Sequence, residues 1–332
     1  MTTKEIIGKV LVTGSSGHLG EALVRTLKAM NHEVIGIDIL PSDFTDKVGS
    51  IADRQFAKQC MKGVDTILHT ATLHKPHVAT HSNQNFIDTN ITGTLNLLEE
   101  AVLNGVNSFI FTSTTSTFGD ALTLPVGSPA AWITEDIIPI PKNIYGVTKT
   151  AAEDICKLFY RNHKLPCIIL RTSRFFPEKD DNKKTREAYE DAKTSEFLYR
   201  RVDIEDVVNA HLLAIGKVKS IGFGRYIISA TSPFTPNDLI DLHIDAPSVV
   251  KRIFPDYEEE YIKLGWKMFP QIERVYVNER ARKELGWNPK YDFRYILNKL
   301  KVGADPRSKL SILIGSKGYH ALNFSERPYP VD

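Results

Sequence analysis

The stretch Gly14-Ser15-Ser16-Gly17-His18-Leu19-Gly20 constrains this chain more than any other. An apolar, β-branched run, Ile6 to Thr13, leads into it. From Glu21 to Met30, Leu23, Leu27 and Met30 then recur at helical spacing. A buried strand, a glycine turn and a helix in that order open a βαβ unit. The small residues let the backbone turn tightly and approach an anion. The free N–H groups and positive end of the following helix point at that anion.

A second strand, Glu33 to Asp38, ends in a carboxylate 18 positions after Gly20. An acid there accepts the ribose hydroxyls of an adenosine and repels a 2′-phosphate, so the pattern selects NAD over NADP. Further alternation follows. Asp53 to Met61 reads as a helix, Thr66 to His69 as a strand, Asn83 to Asn104 as a long helix and Asn107 to Ser113 as a strand. Tyr145 to Asn162 reads as a helix and Cys167 to Arg171 as a strand. Repeated βα units with right-handed crossovers predict a doubly wound parallel sheet of the Rossmann type, helices on both faces. Beyond Pro236 the pattern turns to helices and irregular segments punctuated by prolines, which predicts a smaller, mostly helical C-terminal substrate lobe. The expected division is 1–172 for the cofactor domain, with return segments near 199–234, and 173–332 mainly for the substrate lobe.

Tyr145 and Lys149 form a Y-x-x-x-K pair near a helix start. Four residues advance about 400°, so the two side chains share one face, a turn apart. A cation beside a phenol favours the phenolate, which predicts a Tyr145 pKa lowered towards working pH by Lys149. Tyr145 is then the expected acid/base for a hydride transfer at a secondary alcohol or ketone. The strand Phe109-Ile110-Phe111 runs into a series of hydroxyl residues, Thr112 to Thr117, at the end that faces a ligand crevice. One of them is expected to hydrogen-bond the reacting oxygen.

Together these residues resemble the extended short-chain dehydrogenases/reductases, the NAD-dependent epimerase/dehydratase family. The resemblance spans roughly residues 6–215. Its motifs are Thr13 to Gly20, Asp38, Leu68-His69-Thr70-Ala71-Thr72, Asn90 to Glu99, the hydroxyl strand and Tyr145 to Lys149. It returns in Val275 to Phe293. By position it implies cofactor contacts from Gly14, Gly17, His18, Leu19, Gly20, Asp38, Ser50, Ile51, Thr70, Ala71, Thr72, Asn90, Tyr145, Lys149 and Ser173. It places Thr114 with Tyr145 and Lys149 as the catalytic group. Thr114, Thr115, Arg174 and His74 are the expected substrate contacts. It also implies a homodimer through the helices at 83–104 and 145–162.

The departures narrow the chemistry. Ser50 stands where the family usually has Asp at the adenine edge. Thr115 and Ser116 stand where sugar-nucleotide dehydratases carry an Asp-Glu pair, which argues against dehydration. Tyr199 follows Arg174 by only 25 positions, an interval that is usually much longer and holds a nucleotide-cradling segment. A smaller, sugar-like carbonyl substrate is therefore open beside a nucleotide sugar, and dehydrogenase beside 4-epimerase. A non-catalytic cofactor sensor is the reading from another class; it would ordinarily lack the Tyr or the Lys. The charged stretch Glu178 to Asp191 reads as a solvated segment or a lid.

Composition excludes other classes. The 332 residues carry 42 basic and 40 acidic side chains, a net charge of +2, which gives no footprint for nucleic acid. No apolar run reaches the ~18 residues of a membrane span. Three scattered cysteines (Cys60, Cys156, Cys167) build neither a disulfide framework nor a zinc site, and a cytoplasmic protein is expected. His69, His74, His77 and His81 lack metal-ligand spacing, so no metal is expected. Trp132, Trp266 and Trp287 are expected to pack rather than to stack on a ligand.

Overall fold

The computed structural model describes residues 8–123, 125, 127–175 and 186–317. Its first half runs β1 (Lys9–Thr13), α1 (His18–Ala29), β2 (Val34–Asp38), β3 (Lys47–Val48), α2 (Arg54–Cys60) and β4 (Val64–His69). A helical stretch follows, α3 (Asn83–Phe86), a π-helical segment Ile87–Thr92 and α4 (Gly93–Leu103). Then come β5 (Ser108–Thr114), β6 (Ala131–Ile133), α5 (Ile144–His163) and β7 (Cys167–Thr172). The rest is α6 (Arg186–Glu196), α7 (Ile204–Ile221), β8 (Phe223–Ile228), α8 (Leu239–Ile253), α9 (Tyr257–Leu264), β9 (Arg274–Tyr276), α10 (Phe293–Lys301) and α11 (Lys309–Ile314).

Seven strands form one parallel sheet in the order β3-β2-β1-β4-β5-β7-β8. Its central strands are apolar throughout because helices cover both faces. Val10, Val12, Leu68 and Ile110 pack towards α1 and α7. Leu11, Ile67, Phe109 and Phe111 pack towards α4 and α5. The order reverses between β1 and β4, and the crevice of a doubly wound sheet opens at the carboxyl ends of those strands.

One buried polar knot fixes α5 to the sheet. Glu153 on α5 accepts from Arg171 Nη2 of β7 at 2.7 Å and from Ser113 Oγ of β5 at 2.6 Å. Arg225 of β8 lies 3.1 Å from the same carboxylate. A carboxylate this deep persists only when paired. Its pairing sets the height at which the first turns of α5 meet the sheet edge.

The C-terminal lobe has its own core, with Leu242, Val250, Tyr257, Tyr261, Phe293 and Leu297 buried together. It is mostly helical, but β6 and β9 pair in parallel beneath it. The sequence reading missed that pair because each strand is only three residues long and the partners lie 143 positions apart (274 − 131). Two later segments leave the lobe. Ala281, Leu285 and Trp287 join the core around α1 and α7, and Leu310 and Ile314 of α11 pack there too. Trp287 Nε1 donates to Asp206 O at 2.9 Å, which ties the segment to the start of α7. The cysteines are buried and unpaired.

Candidate active site

Gly14 ends β1 with φ +73°, a conformation that a side chain disfavours. A Cβ on Gly20 would lie 1.9 Å from Gly14 O, so the first turn of α1 closes directly on the strand end. Asp38 at the end of β2 reaches across, its carboxylate accepting from Ser16 N at 3.0 Å and Leu40 N at 2.9 Å. On the other side, Thr13 Oγ1 accepts from Thr70 N (3.1 Å) and Ala71 N (3.0 Å). The ring of His69 is held between Thr13 and Thr94, at 2.8 and 2.9 Å, which makes it a satisfied core histidine. The result is a cradle of backbone N–H groups at a helix N-terminus, with one carboxylate at its far rim.

This cradle is one end of a cleft of about 1020 Å³. The wall takes in Gly14, Gly17, His18, Leu19, Gly20, Asp38, Ser50, Ile51, Thr70, Ala71 and Thr72. It continues through Thr114, Thr115, Tyr145, Ser173, Arg174 and His74 to Arg200, Arg274 and Tyr276. A volume at the upper end of ligand pockets suits an extended molecule such as a dinucleotide with a substrate beside it. Ser173 Oγ and Arg200 Nε are buried, with no hydrogen-bond partner among the described residues. Buried polar atoms of that kind call for a ligand or water. The glycine cradle, the rim carboxylate and these donors fit a dinucleotide.

Tyr145 projects from the first turn of α5, whose N-cap Asn143 accepts from Gly146 N at 3.1 Å. Burial pushes the pKa of the Tyr145 phenol up to about 12, partly offset by the neighbouring Thr114 hydroxyl. This corrects the sequence expectation of a phenol lowered by Lys149. The Lys149 ammonium instead donates to Thr112 O at 2.7 Å and lies 3.9 Å from the centre of the Phe111 ring. Lys149 is buried and is not among the residues that line the cleft. Burial lowers its own pKa to about 7, partly offset by Glu153.

Asn90 is likewise not on the wall. Its Oδ1 accepts from Thr72 Oγ1 and Leu73 N, and its Nδ2 donates to Leu73 O and Thr148 Oγ1, all within 2.9–3.0 Å. The side chain reaches the loop after β4 and is used up there. Spacing placed it correctly on the helix but could not show that its amide was already spent.

On the substrate side, Glu196 gathers three guanidinium groups: Arg200 at 2.8 Å, Arg201 at 2.9 Å and Arg174 at 3.4 Å. These cations hold its carboxyl below the usual range despite burial. Lys75, Lys142, Arg174, Arg200, Arg274 and Lys317 line the cleft, and among the described residues Asp38 is the one carboxylate on its wall. His74 heads a 3₁₀ turn, Lys75–Ala79, where its ring lies edge-on to His77 at 4.6 Å. Of the charged stretch 178–191, residues 178–185 lie outside the described residues. Sequence reasoning missed Lys317, Lys142 and Arg274, which come from distant segments with no shared pattern.

The description "NAD dependent epimerase/dehydratase family" matches residues 10–228, more than half of the chain. The chain belongs to that family. It is similar to an uncharacterised UDP-glucose epimerase of Bacillus subtilis, 30% identical over 49% of this chain and 55% of the relative. A putative UDP-glucose 4-epimerase of Methanocaldococcus jannaschii is 22% identical over 86% of this chain and 94% of the relative. The chain spans roughly half or less of several curated relatives that it matches. Among solved folds, a short-chain dehydrogenase/reductase superfamily protein of Agrobacterium tumefaciens, crystallised with NAD, superposes with a TM-score of 0.63. It is 21% identical and is matched over 89% of this chain and 96% of its own, a likeness of fold. The sheet order and the glycine cradle are those of a doubly wound dinucleotide-binding fold.

Proposed function

We propose that this protein catalyses NAD-dependent hydride transfer at a secondary alcohol or ketone of a sugar-like substrate carrying an anionic group. The observation that carries this reading is the Tyr145–Thr114 hydroxyl pair, set in the same cleft as the glycine cradle. Bound NAD would take a hydride from the substrate carbon and, as NADH, give one back. Tyr145, held protonated by burial, donates its proton to the substrate carbonyl oxygen in the reducing direction. In the oxidising direction Tyr145 first gives its own proton to solvent, and the phenolate, favoured by the Lys149 charge, then takes the substrate hydroxyl proton. Thr114 donates to the same oxygen as charge develops on it. Lys149, one turn along α5, supplies the positive charge that this exchange needs nearby.

The wall's excess of basic groups supports an anionic substrate, since a cleft lined by one sign of charge concentrates the opposite sign. A nucleotide-sugar 4-epimerase is the second reading. It is favoured by relatives of that name that match along nearly their whole length. We further infer a cytoplasmic homodimer formed through α4 and α5, where Leu103, Val147 and Leu158 are exposed. No helix among the described residues is long and apolar enough to cross a membrane.

The test offers sugar nucleotides, sugar acids and small ketones to the protein with NAD and follows NADH absorbance beside product analysis. A dehydrogenase accumulates NADH with turnover; an epimerase converts its sugar without net NADH. Tyr145→Phe is expected to lower either activity by about 10²- to 10⁴-fold, the range for losing a general acid. Full activity in that variant would end the assignment.

A further inference from the structure

The C-terminal chain returns to the glycine cradle. α11 is anchored on the cofactor domain: Leu310 and Ile314 pack into the core shared with α1 and α7, and Ser308 N donates to Asp203 Oδ2 at 3.2 Å. Beyond α11 the backbone crosses to the start of α1. Lys317 N donates to His18 Nε2 at 3.1 Å, and Lys317 Nζ donates to Ser16 O at 2.7 Å. The ammonium also pairs with Glu21 on the first turn of α1. Lys317 thus touches three residues of the turn and its helix, 296 to 301 positions away along the chain. It also forms part of the cleft wall.

The contacts are mutually consistent. His18 is buried, and burial together with the Lys317 charge lowers its pKa to about 4. The neutral ring therefore has a lone pair at Nε2 to accept the Lys317 N–H. Ser16 O is a carbonyl of the very turn whose N–H groups form the cradle, so an ammonium bound there stands beside any anion the cradle holds. Glu21 balances that charge while it is paired. A diphosphate in the cradle would offer the ammonium a stronger counter-charge than one carboxylate.

We propose that residues 309–317 form a strap over the dinucleotide site and that Lys317 is a binding residue for the cofactor's diphosphate. The inference rests on the reading of the cradle as a dinucleotide site and adds to it a cation that comes from outside the glycine motif. The strap places a positive charge where the motif itself supplies only backbone dipoles.

Calorimetric titration of the full chain with ADP and with adenosine tests the proposal. Lys317→Ala and Lys317→Gln are expected to weaken ADP binding about ten-fold, the worth of one charge-assisted contact. Adenosine affinity should stay at the wild-type value in both, and Lys317→Arg should keep most of the ADP affinity. The Gln variant retains a donor for Ser16 O, so its loss separates charge from support of the turn. ADP affinities within about two-fold of wild type in both the Ala and Gln variants overturn the proposal, since that is well under one charge-assisted contact. So does an equal loss for adenosine, which marks a purely structural role. Failure of the wild-type protein to bind ADP or NAD at all rejects the dinucleotide reading itself, and the strap with it.

Discussion

At the scale of single residues, the site holds ionisable groups in environments that oppose their charge. Lys149 is the clearest instance: a buried ammonium whose pKa is lowered to about 7 by desolvation. A base with a depressed native pKa costs stability in full below that pKa, and the cost fades as pH rises from about 7 to the unfolded value. Lys149→Met removes the charge and keeps the chain length. It is expected to abolish turnover while raising the melting temperature, with the gain larger at pH 6 than at pH 9. Thermal melts at the two pH values, read beside activity, check this. Asp38 bears on cofactor choice instead. Its carboxylate anchors Ser16 N and Leu40 N and stands at the rim where a 2′-phosphate would sit. Asp38→Asn is expected to weaken NAD binding and to narrow its advantage over NADP, by about ten-fold in the ratio of dissociation constants, the value of one like-charge contact removed.

Among the elements, the helix that carries Asn90 is the one whose irregularity has a visible use. The π-helical segment Ile87–Thr92 brings the Asn90 amide to the loop after β4, where four hydrogen bonds hold Thr72 and Leu73 and reach Thr148 on α5. One side chain therefore links the π-helical segment, the cleft wall and α5. Asn90→Ala leaves Leu73 N and O without those partners and is expected to destabilise the fold by about 2–4 kcal/mol. It should also weaken NAD binding by loosening residues 70–73. Denaturant unfolding and a cofactor titration measure the two effects; a loss of affinity with no loss of stability would mean that Asn90 meets the cofactor directly.

Across the whole molecule, acid sensitivity follows from histidines buried as neutral rings. His18 and His211 both have pKa values lowered to about 4, chiefly by burial. His211 bridges α7 to β5 through Thr112 Oγ1 at 2.8 Å, so it ties the helix layer to the strand that carries Thr114. Stability from such a group is complete above the unfolded pKa near 6.5 and is lost as pH falls from there towards 4. The magnitude is about 3 kcal/mol for each histidine. Asp206, pushed up to about 6 by burial, works in the opposite sense over part of that range. The informative measurement is therefore a difference: unfolding free energies at pH 7 and pH 4.5 should diverge less in His211→Gln than in the wild type.

The local chemistry was legible from residue order alone. Strand, glycine turn and helix at 9–29, the acid at 38 and the Tyr145/Lys149 pair all rest on short-range geometry, where spacing dictates which groups share a turn or a face. The alternation of apolar strands with helices settled the parallel sheet for the same reason. Three matters were decided only in three dimensions. Whether a group reaches the cleft depends on which partners it meets first, and so Asn90 and Lys149 turn to the chain around them. The phenol of Tyr145 sits high because burial, a property of the packed molecule, outweighs the Thr114 hydroxyl beside it. Lys317 meets the glycine turn because Leu310 and Ile314 of α11 find their apolar cover on α1 and α7, a contact that no local pattern around residue 317 encodes.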